Sequence, residues 1–148
     1  MQNIWKKNLK TIRKYIPKMN KYVADTMALI PRLENRKLPE KTKQIFEMAE
    51  RNEVEIYVPA MVLAEIGYLS EKHRIDTNIK EVKNYCENHI AIKEKETTFK
   101  AVENAFTIDD IPELHDRIIA GTAMELNLEL LTNDPKIEES SFVKTIWK

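Results

Sequence analysis

The chain has 148 residues, with 24 Lys plus Arg balancing 24 Asp plus Glu, which is the size of one ordinary domain with a single core. One cysteine, Cys86, excludes a disulfide framework, and two glycines, Gly67 and Gly121, exclude a phosphate-cradling glycine loop or a dinucleotide fingerprint. The apolar runs are too short for a membrane span or a signal peptide, so we expect a cytoplasmic protein.

Charge is unevenly distributed along the chain. Residues 1 to 21 carry seven bases and no acid, which leaves 17 bases against 24 acids in the remainder. We predict a basic helix over residues 3–16, within an N-terminal extension of residues 1–20, because its apolar residues follow the spacing of one helical face. These residues are Trp5, Leu9, Ile12 and Ile16.

Strands and helices are predicted to alternate in the domain at 21–148. In chain order we predict a strand at 21–25, a helix at 41–51, a strand at 54–58, helices at 60–71 and 77–88, a strand at 90–92, helices at 97–106 and 113–126, and strands at 128–132 and 142–147. This alternation is typical of an α/β fold, in which crossover helices flank a parallel sheet on both faces. Ligands of such sheets collect at the carboxyl ends of the strands.

Four acidic residues interrupt otherwise apolar segments: Asp25, Glu65, Asp116 and Asp134. The first and last close predicted strands, and the other two lie on apolar faces of predicted helices. Burying an unpaired carboxylate is costly, so a buried carboxylate is usually protonated, paired with a cation or bound to a metal ion. Only Arg117 adjoins any of the four. Hard carboxylate oxygens, without clustered thiolates or imidazoles, favour Mg²⁺ or Mn²⁺.

Three of these acids also have purely structural interpretations. Asp25 could cap a helix that begins directly after it, and Asp134 could cap a short helix that begins with proline. Asp116 lies in the first turn of its predicted helix, where the helix dipole favours an acid. Glu65 has apolar neighbours and no such explanation. Four nearby polar residues are predicted to be solvated: Asp109, Asp110, Glu113 and His115.

The segments around these acids resemble the PIN domain family of nucleases, and within it the small VapC-type toxin ribonucleases. The resemblance covers roughly residues 21–148. It is carried by four segments in the family's order: YVADT at 22–26, VPAMVLAEI at 58–66, LHDRIIAGTA at 114–123 and LLTND at 130–134.

This resemblance implies a metal-dependent endoribonuclease that hydrolyses RNA phosphodiester bonds and leaves a 5′ phosphate and a 3′ hydroxyl. Asp25, Asp116 and Asp134 would bind Mg²⁺ or Mn²⁺, directly or through water, and Glu65 would be an outer acid or general base. Two hydroxyls would orient a carboxylate or the attacking water: those of Thr26 and Thr132. Carboxylates about 4 Å apart repel by roughly 4 kcal/mol at an effective dielectric of about 20, and a divalent cation relieves that repulsion.

Several functional alternatives remain open at this stage. The nuclease could be the toxin of a toxin–antitoxin pair, with a small antitoxin protein as partner, or a housekeeping RNA-processing or decay enzyme. The fold could also serve as a non-catalytic RNA- or protein-binding module, and homo-oligomers are compatible with each alternative. The N-terminal extension could pack on the domain, bind RNA, or do both. Its candidate RNA-binding residues are Lys6, Lys7, Lys10 and Lys14.

Overall fold

A computed structural model describes residues 19–148, so the predicted helix at 3–16 and its lysines lie outside the described residues. Within this range the strands are β1 (Lys21–Ala24), β2 (Glu55–Pro59), β3 (Ile92–Lys95), β4 (Glu129–Leu131) and β5 (Thr145–Ile146). The helices are α1 (Thr26–Leu33), α2 (Glu40–Glu50), α3 (Ala60–Glu71), α4 (Ile79–Asn88), α5 (Phe99–Thr107), α6 (Leu114–Leu126) and α7 (Pro135–Glu138).

The strands form one parallel sheet in the order β3-β2-β1-β4-β5. The central strand β1 pairs with β2 on one side, with Val23 opposite Tyr57, and with β4 on the other, with Val23 opposite Leu130. Val23, Ala24 and Leu130 are fully buried, as expected of a sheet that is flanked by helices. The predicted α/β class is therefore confirmed, and the carboxyl ends of the strands meet at one edge.

Most helices begin at recognisable sequence signals. Asn78 caps α4 by accepting a hydrogen bond from the Glu81 N–H at 2.9 Å, and Thr98 caps α5 through the Ala101 N–H at 3.1 Å. Helix α6 ends at Asn127, which adopts the left-handed conformation with φ 53°.

Among residues 19–148, no helix has the length and apolar character needed to cross a membrane.

Three parts of the fold differ from the sequence prediction. The last strand is predicted at 142–147 but runs only over Thr145–Ile146. For helix α1, the sequence predicts only that a helix could begin after Asp25, without giving its extent. Pro31, near the end of this helix, lacks an N–H donor and interrupts the helical pattern. Strand β3 is predicted at 90–92 but runs over Ile92–Lys95. The prediction follows the apolar tripeptide at 90–92, but only Ile92 of the observed strand is buried. The charged residues that follow Ile92 are common in an edge strand, whose unpaired side faces solvent.

Candidate active site

Two of the predicted acids lie at the carboxyl edge of the central strands. Asp25 directly follows β1, and its N–H donates to the Leu131 carbonyl of β4 at 3.0 Å. Asp134 lies three residues beyond Leu131, at the start of α7. The parallel pairing of β1 with β4 therefore brings these two acids to the same edge, as the sequence predicted.

Thr132 connects the two strand ends. Its side chain is fully buried, and its hydroxyl donates to Asp25 Oδ2 at 2.7 Å and accepts from the Asp134 N–H at 3.1 Å. The Thr26 N–H donates to Asp25 Oδ1 at 2.8 Å. Each oxygen of the buried Asp25 carboxylate thus has one donor, which fixes its orientation.

Helix α3 brings Glu65 to the same place. The Thr26 hydroxyl donates to Glu65 Oε2 at 3.2 Å, which joins this helix to the end of β1. Glu65 Oε1 is buried and has no hydrogen-bond partner among the described residues. A buried carboxyl oxygen without a partner is unusual in a folded protein and marks a position that water, a proton or a ligand can satisfy.

The ionisation of the acids shows that they share one electrostatic environment. Burial, followed by the charges of Asp25 and Asp116, raises the pKa of Glu65 to about 7. Burial, followed by the charges of Asp134, Asp25 and Glu113, raises the pKa of Asp116 to about 6, although His115 lowers it. Burial also raises the pKa of Asp25, against the hydrogen bonds from Thr132 and Thr26. The charge of the fourth acid, Asp134, raises the pKa of Asp25 and that of Asp116.

No cation of the described part of the chain neutralises this cluster. None of the salt bridges within residues 19–148 involves Asp25, Glu65, Asp116 or Asp134. Arg117 adjoins Asp116 in sequence, but its guanidinium lies over the Phe106 ring at 5.6 Å from the centroid.

A divalent cation suits the chemistry of these donors. They are hard carboxylate oxygens, they repel one another, and Glu65 Oε1 has no protein partner within residues 19–148. In the side-chain positions of this structure, no three Asp, Glu, His or Cys residues of that range are close enough together to hold a metal ion. Coordination would therefore require the carboxylates to turn toward one another.

The structural interpretations of three acids are also correct. Asp25 is the N-cap of α1, and Asp134 caps α7 through the Lys136 N–H at 2.9 Å, with Pro135 at the first helical position. Asp116 lies in the first turn of α6. Capping and the helix dipole explain these three residues separately, but they do not account for Glu65 or for the repulsion among the acids.

An apolar groove beside Glu65 is absent from the sequence predictions. It has a volume of about 490 Å³ and is lined by Met61, Ala64, Glu65, Tyr68, Leu69 and His115. The available signal is the helical spacing that places Met61, Tyr68 and Leu69 on the face of Glu65. From sequence, that face explains only why the acid is costly to bury. His115 is exposed, as predicted, yet it lines this groove.

The raised pKa values predict how stability depends on pH. Without metal, the folded chain holds the Glu65 and Asp116 protons more tightly than the unfolded chain, whose values are near 4.5 and 3.8. Their contribution to stability is therefore complete below these values and is lost as pH rises through about 6 and 7. After discounting for partial exposure, we expect Glu65 to contribute on the order of 1 kcal/mol.

Thermal unfolding in EDTA should accordingly show a melting temperature that falls between about pH 5 and about pH 8. Glu65→Gln should flatten this decline. The pKa values of Glu34, Glu50 and Glu55 lie below their usual range, so their contributions are lost only in more acidic solution. A melting temperature that rises across this interval in the wild-type chain would contradict the proposed repulsion.

Comparisons with known proteins identify the family and the fold of the chain. The family model of the PIN domain matches residues 22–143. The chain is similar in structure to VapBC2 from Rickettsia felis, with 17% identity, 86% of this chain and 99% of that chain covered, and a TM-score of 0.67. For VapBC from Salmonella typhimurium the identity is 18%, 86% of this chain and 98% of that chain are covered, and the TM-score is 0.65. For VapC20 from Mycobacterium tuberculosis the identity is 11%, 83% of this chain and 98% of that chain are covered, and the TM-score is 0.56. A search of curated proteins found no match. At these identities the structural similarity establishes a shared fold.

Proposed function

Because the chain belongs to the PIN domain family, we propose that it is a metal-dependent endoribonuclease that hydrolyses RNA phosphodiester bonds. The sequence-based family assignment is confirmed by the match over residues 22–143. The observation that carries the proposal is the cluster of four acids at the carboxyl edge of the sheet, in which Glu65 Oε1 is buried and lacks a partner among residues 19–148. Perturbed acids of this kind in a shared site are typical of catalytic centres.

Each residue of the cluster has a distinct role in this proposal. Asp25, Asp116 and Asp134 would hold Mg²⁺ or Mn²⁺, which when bound supplies polarisation of the phosphate and acidification of the attacking water. Glu65, with a pKa of about 7, can exchange a proton with water near neutral pH and is the candidate general base.

Two hydroxyls would keep these carboxylates in place. Thr26 donates to Glu65 Oε2, which leaves Glu65 Oε1 without a donor among residues 19–148, and Thr132 donates to Asp25 Oδ2 opposite the Thr26 N–H on Oδ1. Such hydrogen bonds hold a reactive group in a single orientation.

The structural neighbours support a biological context. VapC20 is a Sarcin–Ricin loop cleaving toxin, and the Rickettsia and Salmonella proteins are VapBC complexes bound to DNA. By analogy we propose that this chain is the toxin of a cytoplasmic toxin–antitoxin pair, with RNA as substrate and a small antitoxin as partner. A small protein that co-purifies with the chain and silences it would distinguish this role from that of a housekeeping nuclease.

The direct test is incubation of the purified protein with RNA in Mg²⁺, Mn²⁺ or EDTA. We expect cleavage only with metal, and 5′ phosphate ends on the products. The same ions should raise the melting temperature, because a ligand that binds only the folded state stabilises it by about 2.7 kcal/mol at a hundred times its Kd. If neither cleavage nor a thermal shift occurs in either metal, the chain is a non-catalytic module.

The basic N-terminal extension gives a further prediction. Residues 22–148 carry 17 bases against 24 acids and should repel a polyanion, whereas clustered lysines exchange condensed counterions for phosphate contacts. Replacing Lys6, Lys7, Lys10 and Lys14 by Gln should weaken RNA binding. It should also reduce the slope of log affinity against log salt by about 0.7 for each phosphate that the lysines no longer neutralise.

Binding would be measured at several salt concentrations in an Asp116→Asn background, which prevents cleavage. The matched control replaces four exposed lysines of the domain by Gln: Lys41, Lys80, Lys83 and Lys100. An equal reduction of slope in both variants would show that only total charge matters and that the extension has no dedicated role.

A further inference from the structure

The groove beside Glu65 has the dimensions and lining of a small-ligand site. Its volume of about 490 Å³ lies within the range of about 300 to 1,000 Å³ that is usual for ligand pockets. Met61, Ala64 and Leu69 supply apolar surface, and Glu65 makes the groove continuous with the acid cluster. A substrate held by the acids can therefore reach this surface.

An exposed aromatic ring that lines the groove has a lysine beside it. Tyr68 is 56% exposed, although large aromatic side chains usually bury most of their surface. Lys72 Nζ lies 5.6 Å from the centroid of its ring. Lys72, His73 and Arg74 follow at the end of α3, and all three are exposed. Within residues 19–148, neither Lys72 nor Arg74 forms a salt bridge.

Together these features match the chemistry of single-stranded RNA. Stacking of bases on aromatic side chains, beside cations that contact the backbone, is the general mode of single-strand recognition. An apolar side chain of a protein would fit the groove but would not need the charge of Lys72 beside Tyr68. The continuity with the acid cluster and the adjacent positive charge therefore favour a nucleotide.

We propose that this groove binds one nucleobase of the RNA substrate next to the cleaved phosphate, with the base stacked on Tyr68 and a flanking phosphate at Lys72. The proposal rests on the proposed ribonuclease function and deepens it, because it makes Tyr68 a substrate-binding residue for single-stranded RNA. Neither residue is needed for the chemistry at the acids, so their contribution is to substrate binding.

The test measures the affinity of a fluorescent single-stranded RNA for the Asp116→Asn protein in Mg²⁺, with and without Tyr68→Ala. Removal of one stacked ring should raise Kd by about tenfold or more. Tyr68→Phe should retain affinity, because it keeps the ring. Phe99→Ala, which removes a 91% exposed ring on α5, should have no effect.

A set of RNAs in which each nucleotide in turn lacks its base separates stacking from structural damage. The penalty of Tyr68→Ala should disappear for the RNA that lacks the stacked base and persist for all others. An unchanged affinity, or an equal penalty with every RNA, would overturn the nucleobase site while leaving the ribonuclease proposal intact. If RNA affinity is unchanged and only a co-purifying protein inhibitor binds less tightly, the groove is a protein-docking surface. Failure of the Asp116→Asn protein to bind RNA, together with inactivity of the wild type, would overturn both proposals.

Discussion

Asp116→Asn is expected to reduce RNA cleavage by about a thousand-fold, the scale of removing one essential electrostatic group from an active site. The amide has nearly the same shape as the carboxylate but cannot supply its charge to a divalent cation. The protein should remain folded, because the Asp116 side chain accepts no hydrogen bond from the described part of the chain and is repelled by Asp25 and Asp134. Removing one of several repelling charges should leave stability near neutral pH unchanged or increase it.

Asp116 is a cleaner target than Asp25, whose carboxylate accepts hydrogen bonds from Thr26 and Thr132 and also caps α1. The matched control is Asp109→Asn, an exposed acid that precedes the same helix and should retain full activity. Cleavage rates and urea unfolding would be measured for both variants. Wild-type cleavage by Asp116→Asn, or its failure to fold, would remove this residue from the proposed metal site.

Secondary structure is predictable wherever the pattern of apolar residues is strong. Helix α3 is predicted at 60–71 and spans Ala60–Glu71, because Pro59 marks its start and its apolar residues recur with helical spacing. The extent of helix α1 is not predicted, because Pro31 and the short length of the helix weaken its apolar pattern. The helix is stabilised instead by burial of Ala28, Leu29 and Ile30. Tertiary packing of this kind is not visible in local sequence.

The candidate site is predictable in its members but not in its geometry. An acid at the end of a strand, or alone on an apolar face, can be found from sequence because burial of charge is costly. The hydrogen bonds from Thr132 to Asp25 and from Thr26 to Glu65 depend on how β1, β4 and α3 meet. The groove at Tyr68 likewise requires knowledge of which apolar side chains remain uncovered by the core.

Gly121→Ala is expected to destabilise the protein by about 3 kcal/mol, at the upper end of the usual overpacking cost. Gly121 lies where α6 packs on α5, and its carbonyl accepts a hydrogen bond from Asn104 Nδ2 at 3.1 Å. A methyl group there would press against the Ala101 carbonyl oxygen and would lie 3.0 Å from the Ala105 nitrogen. Both contacts are with backbone atoms, so the helices must separate. Because Asp116 lies in the first turn of the same helix, cleavage should also fall.

Gly67→Ala provides the matched control, since it is the same substitution at the chain's other glycine, also within a helix. A methyl group at Gly67 would meet Ile79 Cδ1 at 2.8 Å, which is the end of a flexible side chain that is 51% exposed and can rotate away. The gain in helix propensity from Gly to Ala, about 1 kcal/mol, is available at both sites. At Gly67 it should offset the crowding, and at Gly121 it cannot. Equal stability of the two variants in urea unfolding would show that α5 and α6 do not pack this closely, and the position of Asp116 would then not depend on their contact.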